Sequence, residues 1–89
     1  MEKIRKRFVF RGNVQGVGFR YKACYSARNR GVSGWVRNCA DGSVEMEAEG
    51  YSADIDAVVA ALQEHSWGYI ESVDAEKIPT EGDYSFEIR

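Results

Sequence analysis

Alternating hydrophobic and polar positions predict three strands in the first half of the chain. The first runs from Lys6 to Gly12, where phenylalanines share one face and mostly arginines the other, and the second runs from Val32 to Asn38. The third has the cleanest alternation, with three hydrophobic residues set against three glutamates: Val44, Met46 and Ala48 against Glu45, Glu47 and Glu49. A period of two places alternate side chains on opposite faces of a sheet. Each strand is therefore expected to be covered on one side only.

Two helices and a further strand complete the pattern. Small residues at helical spacing from Arg20 to Arg30 predict a helix that lies close to a sheet, with Gly31 as its stop. Ser52 begins a second helical stretch, and a strand follows between Tyr69 and Pro79, with a last short strand near Phe86. The order β-α-β-β-α-β predicts an α+β fold, the ferredoxin-like split βαβ sandwich, with an antiparallel sheet and two helices on one face. We expect residues 1–89 to form one domain.

Charge is distributed unevenly along the 89 residues, although the net charge is only −2. Ten of the twelve lysines and arginines lie between Lys3 and Ala40, where there is no acidic residue. A basic half favours an anionic partner. Since no dense basic run with interleaved aromatics follows the N-terminal residues, we expect a small anion rather than nucleic acid. No apolar stretch is long enough for a membrane span, and we predict a cytoplasmic location.

The cysteines and glutamates do not predict a metal site. Cys24 and Cys39 stand alone, without the CxxC spacing of zinc ligands, and are expected to be reduced packing residues. The three glutamates of the third strand are expected to pair with arginines of neighbouring strands across the open face of the sheet. A carboxylate metal site is the less favoured alternative. His65, the only histidine, is expected to face solvent at the end of the second helix.

A glycine-containing turn joins the first strand to the first helix. Gly16 and Gly18 allow positive φ angles, and such a turn can direct several N–H groups to one point. The helix adds its own unpaired N–H groups, and Arg20 adds a planar fork of donors matched to phosphate oxygens. In a split βαβ fold the second strand returns toward this loop, so that Asn38 is expected near Arg20. The pattern predicts an anion site at one edge of the sheet.

Two stretches resemble the acylphosphatase family. The run Val14-Gln15-Gly16-Val17-Gly18-Phe19-Arg20 is similar to the signature of that family. The run Gly34-Trp35-Val36-Arg37-Asn38, followed by Asp41-Gly42-Ser43-Val44-Glu45, resembles its second conserved block. The resemblance extends over essentially the whole chain, although between Tyr51 and Gly82 only the pattern is compatible.

The resemblance implies hydrolysis of an acyl phosphate to a carboxylate and inorganic phosphate, with no cofactor and no metal. It implies that Arg20 binds the phosphate and that Asn38 orients the attacking water. The loop amides would share in phosphate binding; they belong to Gln15, Gly16, Val17, Gly18, Phe19 and Arg20. We expect a monomer that acts on a small molecule, without a nucleic-acid or membrane partner.

Two alternatives come from other functional classes. One is a non-catalytic anion-binding module, like the acylphosphatase-like domain of hydrogenase-maturation carbamoyltransferases. The other is an RNA-binding ferredoxin-like domain, which would need aromatic residues on the open face of the central strands. The first strand offers Arg7, Val9 and Arg11 there instead.

Overall fold

The computed structural model describes residues 2–64 and 69–89. Its elements follow the predicted order, and the short strand near Phe86 is present as a separate strand. Their bounds are β1 Lys3–Asn13, α1 Phe19–Asn29, β2 Ser33–Asn38, β3 Val44–Tyr51, α2 Ser52–Glu64, β4 Tyr69–Ile78 and β5 Phe86–Ile88. None of the helices in these residues is long and apolar enough to cross a membrane.

The sheet has the strand order β4-β1-β3-β2-β5. β1 pairs antiparallel with β3 and β4, and β2 pairs antiparallel with β3. β5 pairs parallel with β2, with Gly34 opposite Phe86. The predicted ferredoxin-like split βαβ fold is confirmed, but the sheet is mixed rather than antiparallel. The difference arises because the chain crosses from β4, at one edge, to the opposite edge before β5 begins.

The core lies between the helices and one face of the sheet. Phe8 and Phe10 of β1 point into it, together with Met46 of β3, as the alternation predicted. α1 packs against β2 and β5, while α2 packs against β3. The predicted stripe of small residues on α1 is buried, with Ala23 and Ala27 fully inaccessible. Small side chains let this helix approach the sheet closely, which fixes the position of its N-terminus.

The opposite face of the sheet carries ion pairs, as predicted for the glutamates of β3. Glu45 accepts hydrogen bonds from Arg7 and Arg37, and Glu47 accepts one from Arg5 at 2.8 Å. Arg11 was expected beside these glutamates, but it pairs with Asp74 of β4. The register explains this difference, since Arg11 lies opposite Ser72 of β4 and beyond the paired end of β3.

Arg5 is buried, which the sequence pattern did not predict. Its guanidinium also contacts Glu49 at 3.2 Å and Asp83 at 2.9 Å. The backbone amides of Glu81 and Gly82 donate to Glu49 at 2.7 and 2.9 Å. These contacts hold the segment between β4 and β5 across the open face of the sheet. Burial disfavours the charged guanidinium, but hydrogen bonds to Glu47, Asp83 and Glu49 raise the pKa of Arg5 above its ordinary value.

Candidate active site

The glycine loop between β1 and α1 consists of residues 14–18. It is shorter than predicted because β1 continues to Asn13, which pairs with Tyr69 of β4 after a shift in register. Gly16 and Gly18 have φ angles of 73° and 81°, values that a side chain at Cβ would penalise. Gly18 is the N-cap of α1, and no side chain caps the helix there. The first amides of α1 are therefore left for another acceptor.

Hydrophobic side chains hold the loop against the core. Val14 is buried, and Val17 packs on the core from a partly buried position. The ring of Phe19 meets Phe10 edge to face, with ring centroids 5.1 Å apart. The side chains of Val17 and Phe19 thus face the core, and what these residues can offer an anion is their backbone amides.

The side chain of Gln15 fastens the loop to the β2–β3 turn. Its Nε2 donates to the carbonyl oxygens of Cys39 and Ser43, at 2.8 and 2.9 Å. Gly42 lies in this turn with a φ angle of 91°. The sequence reasoning considered only the backbone amide of Gln15, and no local pattern signals this long-range contact. The contact sets the glycine loop against the strand end that carries Asn38.

Arg20 and Asn38 line the same pocket, as the strand order predicted. The pocket has a volume of about 200 Å³, and its walls are Val14, Gly16, Gly18, Phe19, Arg20, Tyr21 and Asn38. Gln15 and Val17 do not line it. The structure therefore brings together Arg20, Asn38 and both glycines, while Gln15 and Val17 support the loop from behind.

Two polar groups of this pocket lack partners in the part of the chain that the structure describes. The Oδ1 atom of Asn38 is buried and accepts no hydrogen bond from these residues. The guanidinium of Arg20 forms no hydrogen bond, ion pair or ring contact within the described residues, although every other arginine there has such a contact. A buried polar atom without a partner costs stability unless water or a ligand satisfies it. Both groups point to an occupant of the pocket.

No acidic residue and no histidine is found among the described residues that line the pocket. Asp41, the nearest acid in the sequence, is engaged in the turn: its Oδ1 accepts from the hydroxyl of Ser43 at 2.6 Å and from the Ser43 amide at 3.0 Å. The hydrogen bond from the Ser43 side chain lowers the pKa of Asp41. His65 lies outside the described residues, so its expected position facing solvent stays a prediction.

The neighbours of Asn38 along β2 face elsewhere, as expected. Arg37 lies on the open face of the sheet and pairs with Glu45 at 2.7 Å. Trp35 lies on the same face, with the guanidiniums of Arg37 and Arg89 at 5.6 and 5.0 Å from its ring.

Both cysteines are free, and Cys24 is buried as predicted for a packing residue.

These features define a class: a small ferredoxin-like α+β protein with a candidate anion site between its first strand and first helix. The family follows from the comparison of sequences. The acylphosphatase family profile matches residues 6–88, and the chain belongs to the acylphosphatase family.

Individual relatives agree with this placement. An acylphosphatase from Bifidobacterium longum is 58% identical over 59 residues, which span 66% of this chain and 61% of that protein. An acylphosphatase from Synechococcus sp. (strain JA-2-3B'a(2-13)) is 42% identical over 89 residues, 99% of this chain and 95% of the relative. The crystal structure of acylphosphatase from Bacillus subtilis superposes with a TM-score of 0.91 at 33% identity, covering 97% of this chain and 98% of that one. Family and fold together support hydrolase activity on acyl phosphates.

Proposed function

We propose that this chain hydrolyses acyl phosphates without a metal ion, through Arg20, Asn38 and the amides of the glycine loop. The observation that carries the proposal is the pocket of about 200 Å³ in which a guanidinium and a buried carboxamide oxygen lie together, neither having a partner among residues 2–64 and 69–89. The first group suits a phosphate oxygen, and the second suits a water molecule. The substrate class agrees with membership of the acylphosphatase family.

The phosphate is bound by donors of two kinds. The guanidinium of Arg20 offers a planar fork that matches two phosphate oxygens. The amides from Gln15 to Arg20 add dipoles at the uncapped start of α1, where the helix dipole favours negative charge. Of these six residues, Gly16, Gly18, Phe19 and Arg20 line the pocket itself. No described acidic residue lines the pocket to repel the anion.

The nucleophile is a water molecule hydrogen-bonded to Oδ1 of Asn38. Its oxygen bonds to phosphorus, the bond between phosphorus and the acyl oxygen breaks, and the carboxylate leaves with the electron pair of that bond. The proton of the water passes to solvent or to the phosphate. Because a carboxylate is a good leaving group and phosphoryl transfer has a loose transition state, positioning and charge stabilisation are sufficient. The carboxamide orients the water without taking up its proton.

A benzoyl phosphate hydrolysis assay tests this proposal. Release of benzoate and phosphate is expected in buffer containing a chelator, at the same rate as without it. Turnover at saturating substrate is expected to stay nearly flat between pH 6 and 8, since the described lining of the pocket contains no carboxylate and no histidine. A bell-shaped profile or a loss of activity with the chelator would show that the site lacks a residue or an ion. Tight phosphate binding without hydrolysis would favour a non-catalytic module. The monomeric state and cytoplasmic location stay predictions.

A further inference from the structure

The pocket that holds Arg20 is too small for a whole substrate with a large acyl group. Its volume is about 200 Å³, whereas pockets that enclose an entire organic ligand usually measure about 300–1,000 Å³. If phosphate occupies this pocket, as the proposed function requires, the acyl group must lie over neighbouring surface. The question is which neighbouring surface receives it.

Among the described residues, two depressions share a wall residue with the phosphate pocket. The first, of about 320 Å³, shares Tyr21 and is otherwise lined by Cys24, Tyr25, Arg28, Asn29 and Ile88; we call it the tyrosine groove. The second, of about 600 Å³, shares Asn38 and lies on the open face of the sheet, lined also by Trp35, Arg37, Glu45, Glu47 and Arg89. The two depressions adjoin the phosphate pocket through different walls, one through the start of α1 and one through the end of β2.

The direction of attack distinguishes between them. In phosphoryl transfer the attacking and leaving oxygens lie roughly in line on opposite sides of phosphorus. If Asn38 holds the water, the leaving carboxylate and its acyl group extend away from Asn38. This excludes the open-face depression and leaves the tyrosine groove, which begins at Tyr21.

We propose that the tyrosine groove binds the acyl group of the substrate, and that Tyr21 and Tyr25 give the enzyme a preference for aryl and extended apolar acyl groups over short ones. The inference rests on the function proposed above. Tyr21 and Tyr25 are 74% and 67% exposed, and the ring of neither makes an aromatic or cation–π contact within the described residues. They are four residues apart on α1 and so are neighbours on one helix face.

The floor of the groove suits an apolar occupant. Cys24 is buried with its thiol directed to the carbonyl oxygen of Phe86, and Ile88 of β5 adds a partly exposed aliphatic side chain. Nε and Nη2 of Arg28 are both bound to that same Phe86 oxygen, at 3.2 and 3.0 Å. Cys24 and Arg28 are thus engaged with β5. Two aromatic rings and an aliphatic side chain remain for contact, beside the polar side chain of Asn29.

The test compares benzoyl phosphate with acetyl phosphate in wild-type protein and in Tyr21→Ala, Tyr25→Ala and Tyr21→Phe. Contacts of a hydrophobic pocket discriminate by about 10–200-fold, and we expect Tyr21→Ala to reduce the benzoyl-to-acetyl ratio of kcat/KM by about tenfold. Tyr25→Ala, which does not alter the phosphate pocket, should reduce the ratio by a smaller factor. Both substitutions should raise KM for benzoyl phosphate and leave kcat unchanged, because the acyl group makes the same contacts with the groove in the ground state and in the transition state. Tyr21→Phe should restore the ratio.

Tyr84→Ala is the matched control, because Tyr84 is a fully exposed tyrosine of the segment between β4 and β5. It should leave the ratio unchanged. Equal losses on both substrates in Tyr21→Ala and Tyr25→Ala, or no loss in either variant, would overturn the assignment of the groove while leaving the hydrolytic function intact. Failure of the wild-type protein to hydrolyse either substrate would instead overturn the proposed function, and the groove assignment with it.

Discussion

Arg5, near the start of β1, and Arg20, in the first turn of α1, have opposite environments. Arg5 is buried on the open face of the sheet and contacts Glu47, Glu49 and Asp83. Arg20, just beyond the glycine loop, has no partner within the described residues. The register explains the first case, since β1 runs beside the glutamates of β3. The surroundings explain the second, since no described acidic residue lines the pocket of Arg20.

This contrast separates charge that stabilises the fold from charge that is available to a ligand. Removal of a paired, buried arginine is expected to affect stability, whereas replacement of an unpaired arginine in a pocket is expected to affect binding and catalysis. The following variants test the distinction, from the largest expected effect to the smallest.

Arg20→Lys keeps the positive charge but loses the planar fork of donors. Arginines at phosphoryl transition states contribute on the order of 10³–10⁵ in rate, and we expect turnover to fall by about that factor with weaker inhibition by inorganic phosphate. Urea unfolding should show unchanged stability, because Arg20 has no partner in the described part of the fold. Activity within about tenfold of wild type, far short of that loss, would remove Arg20 from its assigned role.

Arg5→Met should instead lower the stability of the fold and leave turnover unchanged. Loss of the guanidinium leaves Glu49, which is 6% exposed, without its charged partner, and breaking a buried ion pair in this way costs about 3–5 kcal/mol. Urea denaturation measures this loss, and kcat of the protein that remains folded should equal that of wild type. Arg11→Ala is the control, because Arg11 and Asp74 are 48% and 69% exposed and such pairs contribute about 0–1 kcal/mol. Equal stability of the two variants would contradict the structural role of Arg5.

Asn38→Ala should reduce turnover by on the order of 10²–10³, as for loss of one preorganised polar group. Inhibition by inorganic phosphate should be nearly unchanged, since Asn38 is assigned to the water rather than to the phosphate. Stability should not fall, because Oδ1 of Asn38 has no hydrogen bond to lose in the described structure. If phosphate binding disappeared while turnover at saturation persisted, Asn38 would be a substrate-binding residue and the mechanism would be wrong.

Acidic pH should reduce the stability that Glu49 contributes on the open face of the sheet. Burial tends to raise the pKa of Glu49, but hydrogen bonds from the Glu81 and Gly82 amides and from Arg5 outweigh it and lower the pKa below 4.5. A carboxyl group whose pKa is lower in the folded protein than in the unfolded chain stabilises the fold at pH values above its unfolded-state pKa. This contribution is lost as the pH falls through the folded-state pKa. The free energy of unfolding should therefore decline below about pH 4.5.

Glu49→Gln isolates this contribution. The substitution replaces charge-assisted hydrogen bonds with neutral ones, and we expect it to lower the free energy of unfolding by about 1.5–3 kcal/mol at pH 7. The free energy of unfolding of the variant should also decline less steeply with falling pH. Unfolding by urea at several pH values measures both effects. A variant with wild-type stability at pH 7 and an unchanged acid dependence would show that Glu49 does not contribute in this way.

The local pattern predicted the elements because each carries its own period or stop. The alternation in β1 and β3 placed the phenylalanines in the core and the glutamates on the other face, and both placements are confirmed. The pattern could not predict that β5 pairs parallel with β2, since a three-residue strand carries too little periodicity to show its partner. Arg5 was missed for a related reason: its burial comes from a segment some 80 residues further along the chain.

The sequence by itself determined the fold class, the family and the residues expected at the anion site, because these depend on periodicity and on short motifs within contiguous stretches. The tertiary structure decided which polar groups are engaged and which are free. It placed Gln15 on the β2–β3 turn and paired the glutamates with arginines, while the carboxamide oxygen of Asn38 and the guanidinium of Arg20 found no partner in the described structure. The physical reason is that a hydrogen bond between distant residues depends on distance and direction in space, which the order of residues along the chain does not fix.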